Sequence, residues 1–124
     1  MKTLLVVDDE VGITEALREL LSEEGFLVLT ARNGREGLER VTEKRPDLIL
    51  LDYMMPVMDG REMLTALEAD ATTRDIPVLM VSAVPRASLP ADCKPAHFLR
   101  KPFNLDQLLL HVRRLLGEPP APVR

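Results

Sequence analysis

Leu48 to Leu51 are four consecutive apolar residues that run straight into one acid, Asp52, and Pro56 and Asp59-Gly60 follow at short range. An uninterrupted apolar run of this length suits a strand buried on both faces, as parallel sheets require. Open α/β sheets bind their ligands outside the carboxyl ends of the strands, so Asp52 stands where a site residue would stand. The competing reading is an Asp that merely opens a turn. The choice depends on whether other strands also end in polar residues on the same side.

The rest of the chain alternates between two periods. Thr3 to Val7 is a short apolar run that stops at Asp8-Asp9-Glu10. From Val11 to Glu24 the period becomes helical, with Ile13, Leu17, Leu20 and Leu21 expected on the inner face and Gly25 as the stop. Phe26 to Thr30 reads as the second strand, and Asn33-Gly34 as a turn. Glu36 to Lys44 reads as a helix ended by Arg45-Pro46. After the Asp52 strand, Gly60 to Ala69 is a helix facing inward through Met63, Leu64 and Leu67. Val78 to Val81 is the fourth strand, with Ser82 at its end. Prolines at 85, 90 and 95 then exclude a long helix, leaving room for a single turn near Arg86 to Leu89. Ala96 to Leu99 is a short fifth strand leading to Lys101-Pro102-Phe103. Asn104 caps a last amphipathic helix that ends at Gly117.

This βαβαβαβ, irregular crossover, βα order predicts a three-layer αβα sandwich on a doubly wound five-stranded parallel sheet of order 2-1-3-4-5. The fourth crossover helix is expected to be shortened or irregular. Residues 1–117 form one domain, and 118–124, E-P-P-A-P-V-R, read as a stiff tail or linker stub. A net charge of −4 gives no electrostatic case for nucleic acid or an anionic membrane. No apolar run approaches the ~20 residues of a membrane-spanning helix. With one cysteine, Cys93, and no signal-peptide pattern, the expected compartment is the cytoplasm.

In that topology Asp8-Asp9, Asp52, Ser82 and Lys101 converge on one rim. Each alone has an ordinary explanation: a helix cap, a loop hydroxyl, a solvated lysine. Together they make a chemical set. Clustered carboxylates repel, and a hard divalent cation relieves that repulsion. Asp9 and Asp52 are the expected Mg²⁺ ligands, with Asp8 beside them, directly or through water. The Met54 backbone carbonyl is a further oxygen, since its thioether suits a hard ion poorly. Lys101 supplies fixed positive charge and Ser82 a hydroxyl donor, the parts that stabilise a phosphoryl group in transfer. An Asp can itself be the nucleophile and form an aspartyl-phosphate.

V-V-D-D-E at 6 to 10, L-D-Y-M-M-P-V-M-D-G at 51 to 60, V-S-A at 81 to 83 and F-L-R-K-P-F at 98 to 103 resemble the receiver domain of two-component response regulators, a flavodoxin-like fold. The resemblance runs from about Lys2 to Leu116. It implies Asp52 as phosphoacceptor from a sensor histidine kinase or phosphotransfer protein. Asp8 and Asp9 would place Mg²⁺ with the Met54 carbonyl, and Lys101 would pair with the phosphoryl group. Ser82 and Phe98 match the switch positions, while Pro56, Gly60 and Pro102 match structural ones, Pro102 after a cis bond. Output would pass to a downstream protein or a fused domain. Only self-phosphorylation from a donor and slow self-dephosphorylation are implied, not conventional turnover: Met54 and Val84, at positions that tune phosphoryl lifetime in the family, cannot orient a water.

The sequence departs from the family between Ser82 and Lys101, where the usual fourth helix gives way to V-P-R-A-S-L-P-A-D-C-K-P. That places the usual pairing surface and the pocket for Phe98 in question. The alternative function is therefore a receiver-fold binding module that does little phosphorylation-dependent switching. A metal-dependent phosphatase is disfavoured, because such enzymes want an acid two residues after the nucleophile and Met54 stands there.

Overall fold

A computed structural model of the chain describes residues 1–118. The expected tail therefore lies, apart from Glu118, outside the described residues. Five strands, β1 (Thr3–Val7), β2 (Leu27–Ala31), β3 (Leu48–Asp52), β4 (Val78–Ser82) and β5 (His97–Arg100), form one parallel sheet in the order β2-β1-β3-β4-β5. Helices α1 (Val11–Glu23), α2 (Gly34–Glu43), α3 (Gly60–Ala69) and α4 (Leu105–Leu115) cover it. A 3₁₀ turn, Arg86–Ser88, is the only helical piece described between β4 and β5.

The central strands alternate between two apolar layers, because successive side chains leave a strand on opposite faces. Leu5, Val7, Ile49, Leu51, Val78 and Met80 join Val41 of α2 and Met63, Leu64 and Leu67 of α3. Leu4, Val6, Leu48, Leu50, Leu79 and Val81 join Leu21 of α1 and Leu108 and Val112 of α4. Burial on both faces explains why β1, β3 and β4 read as unbroken apolar runs.

Several local expectations need correction. β2 and β5 each start one residue later than their apolar runs predicted, which places Lys101 just past its strand. In α1 the buried positions are Thr14 and Leu21, with Leu17 packed beside them, whereas Leu20 is 37 % exposed. The face that meets the sheet runs through 14, 17 and 21, one turn apart, and puts Leu20 on its flank. The competing explanation of Asp8 and Asp9 as caps of α1 does not hold. Glu10 holds the cap position and makes no side-chain capping bond. Asn33-Gly34 is not a free-standing turn: Asn33 caps α2, its Oδ1 accepting the Glu36 N–H at 2.8 Å, so the helix begins at Gly34 rather than Glu36.

α3 and α4 start as their sequences indicated. Asp59 with Glu62, and Asn104 with Gln107, form reciprocal capping boxes. α4 ends in a Schellman motif: Glu118 N–H donates to the Arg113 carbonyl, Gly117 N–H to that of Arg114, and Gly117 has φ +71°.

Candidate phosphoryl-transfer site

Strand register assembles the site. Val7 pairs with Leu51, Asp52 with Val81, and Ser82 with Arg100. The residues at or just beyond these pairs are Asp8, Asp52, Ser82 and Lys101, so four strands deliver them to one rim. Backbone bonds hold the row: Asp8 N–H donates to the Ala31 carbonyl at 3.0 Å, and Lys101 N–H to the Ser82 carbonyl at 2.8 Å. The Lys101-Pro102 peptide bond is cis.

Carboxylate oxygens of Asp8, Asp9 and Asp52 lie within 4.8 Å of one another. Asp8 and Asp52 are buried and Asp9 is exposed, so the cluster opens to solvent on one side. Asp8 Oδ1 accepts the Glu10 N–H at 2.9 Å, which leaves Asp8 Oδ2 facing Lys101. Lys101 Nζ stands 3.0 Å from Asp8 Oδ2 and 3.5 Å from Asp52 Oδ1. Burial disfavours the charge of Lys101, but the hydrogen bond to Asp8 and the charges of Asp52 and Asp8 outweigh it and raise its pKa. Asp52 goes the other way. Burial and the Asp8 charge push its pKa from 3.8 to about 6, against the pull of Lys101.

One lysine thus leaves a net negative pocket of three acids, with an all-oxygen donor set that suits a hard divalent cation. Ser82 is buried, and its Oγ accepts the Val84 N–H at 3.0 Å, leaving its own O–H as a donor. Met54 is 66 % exposed, and its carbonyl accepts no backbone hydrogen bond among the described residues. Phe98 lies outside this cluster, half-buried against the core layer that holds Met80 and Cys93.

Gly60 is fixed by geometry. Its N–H donates to the Tyr53 carbonyl at 2.7 Å, and a Cβ there would collide with the Asp52 carbonyl oxygen and stand 2.9 Å from the Tyr53 Cα. α3 therefore starts directly against the end of β3. Gly34, which carried no signal as a site residue, makes a similar approach to the loop after Asp52. Its only sequence trace was the Asn-Gly pair.

A doubly wound sheet with acids, a lysine and a hydroxyl at its carboxyl rim defines a phosphoryl-accepting module. The model of the response regulator receiver domain matches residues 4–113, and the chain belongs to that family, the phosphoryl-accepting switches of two-component systems. It is 40 % identical over 116 residues to the response regulator MprA of Mycolicibacterium vanbaalenii, an alignment covering 91 % of this chain and 49 % of that protein. The chain spans about half the length of the MprA relatives it matches.

Among solved structures it resembles the receiver domain of a signal transduction histidine kinase from Syntrophus aciditrophicus, with a TM-score of 0.85 and 34 % identity over 94 % of this chain and 91 % of that one. It also resembles the response regulator TrrA of Thermotoga maritima, solved in complex with Mg²⁺ and BeF, with a TM-score of 0.82 and 35 % identity over 93 % and 99 % of the two chains.

Proposed function

We propose that Asp52 is the phosphoacceptor of this switch and that Lys101 and Ser82 serve the group it receives. The observation that carries this is the Lys101 amine standing 3.0 Å from Asp8 and 3.5 Å from Asp52, inside a cluster of three acids. An Asp52 oxygen bonds to phosphorus as the bond from phosphorus to a donor imidazole nitrogen breaks. The imidazole leaves with the bonding pair and takes a proton from solvent. With its pKa near 6, Asp52 is mostly ionised, and so nucleophilic, at neutral pH. Lys101 can turn from Asp8 to an equatorial phosphoryl oxygen, and the Ser82 O–H can donate to another.

Asp9, Asp52 and the Met54 carbonyl would hold Mg²⁺, with Asp8 beside them. Bound there, the ion would neutralise the acids and offset charge on the phosphoryl oxygens. The proposed donor is a sensor histidine kinase or phosphotransfer protein in the cytoplasm, in keeping with one free cysteine. An open apolar cleft beside Lys101, lined by Ile13, Ala16, Leu17, Ala83, Pro102 and Phe103, offers such a partner a seat. Residues 1–117 would act as the whole receiver unit, with its output through a downstream protein or a fused domain.

Incubation with Mg²⁺ and a small acyl phosphate tests the reading. The mass should rise by one phosphoryl group, and Asp52→Ala should abolish the gain. No gain in the wild type would leave only a binding module. The phosphorylated chain should then lose phosphate slowly, because neither the Met54 nor the Val84 side chain can orient a water. Loss within seconds would contradict that part.

A further inference from the structure

The loop 53–59 carries Met54 past the acid pocket, and it is held from outside. Within it, Met58 N–H donates to the Pro56 carbonyl at 2.7 Å, closing a three-residue turn around Val57 at φ +69°. A β-branched residue in left-handed backbone is strained, and such a turn persists only where its surroundings impose it. Gly60 of α3 ties the start of the loop at Tyr53, and α2 supplies the contact at Met58, beside the turn itself. Gly34 N–H donates to the Met58 carbonyl at 2.9 Å. A Cβ at 34 would stand 2.7 Å from Met58 Cγ, 2.9 Å from the Met58 carbonyl oxygen and 3.0 Å from Met63 Cβ. The φ of Gly34 is not positive, so the glycine serves close approach and not backbone freedom. Asn33 fixes the helix start that brings Gly34 there.

We infer that Gly34 is a positioning residue for the Mg²⁺ site: the first residue of α2 sets the path of the loop 53–59, and through it the aim of the Met54 carbonyl beside Asp52. The inference rests on the metal ligands proposed above. That carbonyl accepts no backbone hydrogen bond of its own, so its aim follows the path of a loop tied at Tyr53 by the Gly60 N–H and at Met58 by the Gly34 N–H. A group that orients a metal ligand without touching the metal commonly changes affinity about tenfold or more when it is altered.

The test is a Mg²⁺ titration of the chain, read by the fluorescence of Tyr53, its single tyrosine, and by NMR shifts of the loop amides, with urea unfolding in parallel. Gly12→Ala is the control, because nothing lies within 4 Å of a Cβ at that helical position. It should bind Mg²⁺ as the wild type does. Gly34→Ala should bind about tenfold more weakly. Adding Met58→Ala, which removes the Cγ that the new methyl would strike, should recover part of the loss. Should Gly34→Ala fail to fold, Asn33→Ala removes the cap of the same helix start and should weaken binding measurably, by less than the glycine replacement. A folded Gly34→Ala or Asn33→Ala with wild-type affinity, whatever its stability, overturns the inference alone. A wild-type chain blind to Mg²⁺ overturns the metal assignment and this inference with it.

Discussion

The acid pocket and the fourth crossover leave the same rim of the sheet and are secured by opposite means. Around Asp52 the backbone does the holding. Three central strands are buried along their whole length, Gly60 abuts the Asp52 carbonyl, and Gly34 abuts Met58. Between Ser82 and His97 the backbone bonds close only local turns, and side chains tie the segment to the rest of the fold. Cys93 is buried, Leu89 packs against the same core layer, and Arg86 Nη2 donates to the Pro95 carbonyl at 2.6 Å. A surface ion pair, Arg61 to Asp92 at 3.2 Å, adds a tie to α3. Phosphoryl chemistry needs fixed positions, which glycine contacts and a parallel sheet provide. The crossover covers the core with a proline-rich path, two apolar plugs and one 3₁₀ turn.

The largest effect is expected at Gly60. Replacement by Ala forces a methyl group into the end of β3 and should cost about 3 kcal/mol or more in urea unfolding, since the obstacle is backbone that cannot swing aside. A cost near zero would mean that the pocket is not held by close backbone contact.

The next effect is electrostatic. The folded state raises the Asp52 pKa to about 6 from 3.8, so folding disfavours its ionised form. The penalty is absent below pH 4, grows between about 4 and 6, and is full above 6. Asp52→Asn should therefore stabilise the Mg²⁺-free chain by on the order of 2 kcal/mol near neutral pH, with the gap closing as pH falls through that window. Mg²⁺ should narrow the gap by stabilising the wild type. Paired unfolding curves from pH 4 to 8 check both, and a gap that widens toward acid would reverse the assignment.

The smallest effect is expected in the crossover. Arg61 and Asp92 have side chains 38 % and 70 % exposed, and solvent screens such pairs. Asp92→Asn should leave the unfolding midpoint unchanged and speed labelling of the Cys93 thiol only slightly. That thiol should react slowly, because burial raises its pKa and hides it. Fast labelling of the wild type would show that the plugs do not hold the segment.

Much of the pocket was legible in the sequence because its residues stand at strand ends, and strand ends are marked by abrupt changes from apolar to polar. Asp8, Asp52, Ser82 and Lys101 needed only the order of alternation and the known sheet topology to be brought together. The missing helix was equally plain, since prolines at 85, 90 and 95 forbid it. Gly34 was illegible for a physical reason. Asn-Gly suits a tight turn and a helix start alike, and the choice is made by Met58, twenty-four residues on. Leu20 was misplaced because helical periodicity gives a face and not its centre. Leu89 and Cys93 join the core layer that Phe98 packs against by folding back from an irregular segment, which no local pattern announces.

One carboxylate of the cluster, that of Asp52, is proposed to receive the phosphoryl group. Borohydride reduction of the chain after treatment with Mg²⁺ and acyl phosphate converts an aspartyl-phosphate to homoserine, which peptide mass mapping locates. The change should fall at position 52 alone, with none in the absence of Mg²⁺. Reduction at position 8 or 9, or at no acid of the cluster in a chain that has taken up phosphate, would contradict it.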